Sequence, residues 1–160
     1  MSESALPIGS IATRPVLPKA GTSLTHPTQS FRVRANAEIY LARSCYDHLA
    51  GRVAVALTHA LEERKVLRAF GEREYVLGRA GSGWFAELGV DVDVVRNSRR
   101  SFARRCLDWT ERRPHLAGAL GASLFSRLLA LGWIVQRHES RRITHLGERE
   151  FWRRFAIKGS

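Results

Sequence analysis

Two short segments carry the side chains best suited to chemistry. Cys45, Asp47 and His48 fall close together, and Cys106, Asp108 and His115 form a similar set further along. Thiolate sulfur and imidazole nitrogen are the ligands that borderline and soft metal ions prefer. If the two segments face each other, two cysteines and two histidines converge on one ion. The plainer reading competes with this one. A buried cysteine behaves as a small apolar residue, and the chain has no Cys-x-Cys or Cys-x-x-Cys pair. On that reading, the favoured one, both cysteines are core residues and no cofactor is bound. Asp47 and Asp108 then cap or pair with nearby arginines. His48 and His115 hold a helix start or bond to the opposite segment.

Covalent chemistry has no support. A Gly-x-Ser-x-Gly elbow is absent. The Gly-rich stretch Gly78 to Gly83 lacks the lysine of a phosphate-cradling loop. An enzyme is not expected.

The charge is unusual for 160 residues. Lys and Arg number 26 against 15 Asp and Glu, a net +11. Almost all of it is guanidinium, which holds phosphate bidentately where Lys acts as a point charge. The surface therefore predicts a nucleic-acid partner, with anionic protein or free solvation as alternatives. Candidate phosphate contacts are Arg96, Arg99, Arg100, Arg104 and Arg105 on one basic helix and its approach, and Arg137, Arg141 and Arg142 on a later hairpin. No leader-like or membrane-spanning stretch is found, so the protein is read as cytoplasmic with reduced thiols and no membrane partner.

The elements that must position these residues read as follows. Residues 1–31 hold four of the five prolines and many Ser, Thr and Gly, the composition of a disordered tail. From Ala35 to Leu67, Ile39, Ala42, Tyr46, Leu49, Val53, Leu57 and Leu61 follow at helical steps, interrupted by Gly51, so that Cys45, Asp47 and His48 share one helical turn. Leu67 to Phe70 and Glu74 to Leu77 predict a hairpin, and Ser82 to Leu88 a short helix with Trp84. Ser98 to Arg112 reads as a basic helix containing Cys106. Pro114 is placed at the start of an apolar helix with Leu116, Leu120, Leu124 and Leu128, capped by Gly132. Trp133 to Arg137 and Arg142 to Thr144 form a second hairpin around the turn His138 to Arg141, and Gly147 to Phe155 forms a last helix.

The order repeats. His-Leu-Ala-Gly occurs at 48–51 and at 115–118, an offset of 67, and Leu57 and Leu61 align with Leu124 and Leu128. Cys-x-Asp recurs at an offset of 61, so six residues are inserted between Asp108 and His115. Leu49, Leu57, Leu61, Leu116, Leu124, Leu128, Trp84 and Trp133 are the expected repeat core. The expected fold is α+β, mainly helical with short β-hairpins. Two degenerate winged-helix-like repeats, 32–95 and 96–160, pack as a pseudo-two-fold unit.

Helix, short hairpin and Gly-marked helix form the back half of a winged helix. Ile143-Thr144-His145-Leu146-Gly147 resembles the L-T-x-x-G after the wing of many bacterial regulators. CYDHLAGR at 45–52 and ARRCLDWTERRPHLAG at 103–118 resemble the C-terminal half of a subgroup of ArsR-type (arsenical-resistance repressor-like) transcriptional regulators. The resemblance covers roughly residues 35–155. It implies a transcription regulator, with this chain its regulatory or dimerising region and the arginines adding phosphate contacts. The family's DNA-reading domain precedes the Cys-Tyr-Asp-His segment, where this chain has only a Pro- and Ser-rich stretch. A self-contained winged-helix DNA-binding protein and a protein-interaction module are the alternatives. Base readout needs polar side chains on a helix free to enter a groove, and both long helices read as built for burial.

Overall fold

The computed structural model describes residues 39–137 and 140–157; the tail expected over 1–31 and the hairpin tip at His138 lie outside them. In chain order come β1 (Arg43–Cys45), β2 (His48–Ala50), α1 (Arg52–Glu63), β3 (Leu67–Phe70), β4 (Glu74–Leu77), α2 (Gly81–Glu87) and α3 (Val92–Arg96). Then follow β5 (Arg104–Leu107), β6 (Pro114–Ala117), α4 (Gly118–Ala130), β7 (Ile134–Arg137), β8 (Ser140–Ile143) and α5 (His145–Phe155). The fold is α+β, as expected, and the order hairpin, helix, hairpin, helix occurs twice.

The strands exchange partners between the two halves. One antiparallel sheet runs β2-β1-β8-β7 and the other β3-β4-β5-β6. Each sheet therefore joins a hairpin from the first half to one from the second. Arg43 pairs with Ser140 in one sheet, and Glu74 with Arg104 in the other. The helices cross over as well: α1 packs on β6 and α4 on β2. Val53, Leu57 and Leu61 of α1 and Leu120, Leu124 and Leu128 of α4 are almost fully buried. Each such side chain contributes about 1.5–3 kcal/mol. Leu49, Leu116 and Trp133 are buried with them, and Trp84 packs partly buried against the same core. The Thr58 hydroxyl, buried on α1, accepts the Leu116 backbone N–H of β6 at 2.9 Å and donates to Ala54 O.

The repeated His-Leu-Ala-Gly has a local cause. Its first three residues form the second strand of a hairpin and its glycine turns that strand into a helix. Gly51 has φ +92° and Gly118 φ +78°, conformations that L side chains rarely adopt. A Cβ on Gly51 would stand 2.9 Å from the carbonyl oxygens of Tyr40 and Leu41, and one on Gly118 2.7 Å from Ser101 O.

Three sequence expectations are corrected. The helix placed over 35–67 is interrupted by a hairpin over 43–50: residues 39–41 are helical, and helix resumes only after Gly51. Tyr46, counted on its apolar stripe, is 99% exposed at the hairpin turn with φ 57°. The basic helix placed over 98–112 is instead strand β5 over 104–107, held in register by β6 and by Glu74 of β4. Pro114 starts a strand, not a helix. β6 is an edge strand, where a missing N–H is tolerated, and α4 begins at Gly118. Among the described residues, no helix is long and apolar enough to cross a membrane.

Candidate metal centre where the two hairpins meet

Each opening hairpin presents one cysteine opposite one histidine. Cys45 is the cross-strand partner of His48, and Cys106 of His115. Directly opposed residues project from the same face of a sheet. The hairpins differ only in their turns, a tight one at Tyr46-Asp47 and a longer loop from Asp108 to Arg113, closed by the Asp108 N–H donating to Arg113 O at 2.9 Å. The six additional residues are thus taken up in a loop, and the Cys–His pairing survives the change of offset from 61 to 67.

The two pairs converge. One ligand-type atom from each of Cys45, His48, Cys106 and His115 lies within 4.8 Å of all the others. The Nε2 atoms of His48 and His115 are 3.2 Å apart. Both rings are buried. The cysteines are half-buried free thiols. They open onto a depression of about 660 Å³ whose walls include Arg100, Ser101 and Arg104. The sequence reading that made these cysteines ordinary core residues does not describe where they lie.

A carboxylate stands behind each imidazole. His48 Nδ1 lies 3.5 Å from Asp47 Oδ1, and His115 Nδ1 3.5 Å from Asp108 Oδ2. The two aspartates differ in setting. Asp47 is exposed and clasped by the Arg100 guanidinium through both oxygens. Asp108 is buried at the junction of the halves. Its Oδ1 accepts from Arg43 at 2.7 Å and from the Thr110 hydroxyl at 2.7 Å, and its Oδ2 accepts the Gly51 N–H at 2.7 Å. Arg43 also lies 4.7 Å over the Trp109 ring. The expectation that the aspartates pair with arginines holds in both cases.

These surroundings set the protonation states. Burial depresses His115 to about 4, reinforced by His48, so the ring is neutral at neutral pH. Burial also lowers His48, against the pull of Asp47. Burial pushes the Cys106 thiol up to about 11, with Cys45 adding to the rise. For Asp108, burial acts upward but is outweighed by the Thr110 hydroxyl, the Gly51 N–H and Arg43, which hold it well below the usual carboxylate range. The Arg100 hydrogen bonds lower Asp47.

Arg43 and Thr110 were not singled out by sequence reasoning. A signal was present: Arg43-x-Cys45-x-Asp47 recurs as Arg104-x-Cys106-x-Asp108. Only Arg43 is buried; Arg104 is exposed at the rim of the depression.

The candidate phosphate-binding arginines lie on α3 and the loop after it, on β5 of one sheet, and on β7 and β8 of the other. Arg96 lies 4.4 Å over the Phe102 ring, and Arg105, half-buried, donates to Gly71 O and lies over Tyr75. Arg99 and Arg104 are exposed. On the other sheet, Arg137 and Arg142 are exposed. Arg141 is half-buried, donating to Ser44 Oγ at 3.1 Å.

Over 123 residues the chain is 42% identical to an uncharacterized HTH-type transcriptional regulator, YdfF of Bacillus subtilis (strain 168). The alignment takes in 76% of this chain and 54% of YdfF. The chain therefore spans about half the length of the curated relative it matches. No family model matches the sequence, and no solved structure matches it.

Proposed function

We propose that this chain is the regulatory region of an ArsR-like transcriptional regulator, sensing an effector where its two halves meet and adding arginine–phosphate contacts to DNA. The observation that carries this reading is the 42% identity to about half of an HTH-type regulator. The packing of the long helices agrees with it. α1 and α4 each pack on a strand of the opposite half and bury most of their side chains, which leaves few polar groups on either to reach base edges. The junction is the natural input, since the hairpins, the Arg43–Asp108 pair and the Cys–His cluster all bridge the halves there. Homodimerisation belongs to the same reading, because regulators that read paired half-sites work as two-fold assemblies.

A gel-shift titration of the chain alone tests it. Expected is weak retardation of any duplex, lost as salt rises, together with a dimer in sedimentation. Sequence-selective retardation at physiological salt would show that the chain reads bases itself and overturn its assignment as a regulatory region.

A further inference from the structure

We propose that Cys45, His48, Cys106 and His115 bind one borderline-soft divalent ion of the zinc class, through two Sγ and two Nε2 atoms. Each half supplies one Cys–His pair. The binding itself stands on geometry alone; only its regulatory consequence rests on the reading above.

The spacing suits such an ion. A tetrahedral centre with Zn–N of about 2.0–2.1 Å has its nitrogens about 3.3 Å apart, and the two Nε2 atoms already stand at 3.2 Å. The separations within the whole set, none above 4.8 Å, close to a tetrahedron with small side-chain movements. The ligands are two sulfurs and two imidazole nitrogens, with no oxygen among them, so a hard ion such as Mg²⁺ or Ca²⁺ is not served.

The tautomers of the two histidines argue more strongly. Without an ion, the 3.2 Å approach is a hydrogen bond only if one ring carries its proton on Nε2. That ring's Nδ1 then presents a bare lone pair to the aspartate behind it, whichever ring donates. His115 Nδ1 is in fact buried with no hydrogen bond. An ion on both Nε2 atoms removes the conflict. Both rings then carry the proton on Nδ1 and donate it to Asp47 and Asp108, the carboxylate–histidine–metal arrangement that orients such ligands.

Charge also balances. A dication and two neutral thiols give M(S)₂(N)₂ and two released protons, a centre of zero net charge. Asp108 is already neutralised by Arg43. The depression in front of the cysteines is the entry path. An ion held this way fastens β1–β2 to β5–β6, so its presence or loss changes the coupling between the halves. That coupling is the signal a regulatory region would transmit.

Chelator-treated chain titrated with Co²⁺ tests the proposal. Expected are thiolate-to-cobalt charge transfer and tetrahedral d–d bands that saturate at one ion per chain and disappear on adding Zn²⁺. Cys45→Ser and Cys106→Ser should each weaken binding at least ~100-fold. Asp47→Asn, a change at an exposed residue that leaves the fold intact, should keep the bands and weaken binding ~10–100-fold. No charge-transfer band in the unaltered chain, bands that survive in the double cysteine variant, or unchanged affinity in Asp47→Asn would overturn it. If the ion binds as expected but DNA affinity of the whole regulator does not respond to it, the metal centre stands and the sensing role falls.

Discussion

His48 and His115 lie 67 residues apart in the chain, yet their Nε2 atoms meet at 3.2 Å in the interior. Such an approach makes the ion-free protein sensitive to acid. The folded value of His115, about 4, lies below the 6.5 of free imidazole. As pH falls, the unfolded chain takes up the proton first, so stability is full above about 6.5 and declines toward 4. His48 is shifted the same way. The loss should be on the order of 2–3 kcal/mol across this window. Urea denaturation of chelator-treated protein at a series of pH values measures it. His115→Asn should lower stability overall and flatten the slope; a flat profile in the unaltered chain would contradict the account.

The meeting of these residues was partly legible in the sequence. Repetition of His-Leu-Ala-Gly, and of Cys-x-Asp at a different offset, was enough to place the two Cys–His sets in related settings and to locate an insertion between Asp108 and His115. The two hairpins that carry these residues were not legible. Ile39, Ala42, Tyr46 and Leu49 have helical spacing, although Tyr46 turns out to be exposed at the turn. Tyr46-Asp47 is not among the dipeptides that announce a tight hairpin turn. β1 pairs along its whole length with β2 and is tied at Arg43 to Ser140 of β8, nearly a hundred residues later, and local periodicity carries no trace of that distant partner. Arg104 to Leu107 was misread for the same reason, since its strand is completed by β4 and β6. The β3–β4 hairpin, the end of α4 at Gly132 and the apolar runs of both long helices were recovered because their causes are local.

Asp108 and Asp47 occupy corresponding positions but should differ sharply when removed. Asp108→Ala strands the buried Arg43 guanidinium and the Gly51 N–H. Breaking a buried pair by deleting one partner costs about 3–5 kcal/mol. Asp47→Ala loses only an exposed, solvent-screened pair with Arg100 and should cost far less. Denaturant midpoints of the two ion-free variants provide the comparison. Equal losses would mean that the hydrogen bonds gathered at Asp108 do not hold the junction.

Gly118→Ala should be far more damaging than Gly71→Ala. Both residues have positive φ, 78° and 60°, and share a conformational penalty of roughly 1–2 kcal/mol. A Cβ on Gly71 would meet nothing within 4 Å, whereas one on Gly118 would press on Ser101 O at 2.7 Å and on Arg104 N at 3.1 Å. The strand bearing Cys106 would have to move away. Gly118→Ala should therefore lower stability by more than Gly71→Ala and also weaken Co²⁺ binding, which Gly71→Ala should leave unchanged. Thermal melts and cobalt titration of both variants check the two effects, and identical behaviour would rule out the backbone contact as the cause.

The arginines make a graded prediction for DNA. If the chain neutralises several phosphates, log K should fall linearly with log salt concentration, by about 0.9 per phosphate contact. Individual guanidinium groups should not count equally. Arg99, Arg104 and Arg142 are exposed and make no ion pair among the described residues, so each is able to meet a phosphate without giving up a partner. Replacing one of them with Ala should reduce the slope by about one unit and weaken binding equally across sequences. Arg100 is engaged by Asp47, and a phosphate would have to displace that carboxylate. Arg100→Ala should therefore change the slope less than Arg104→Ala, although both line the same depression. Fluorescence anisotropy with a labelled duplex at several salt concentrations gives the slopes directly. A slope near zero for the unaltered chain would remove DNA from its surface and leave the junction of the two halves as its working part.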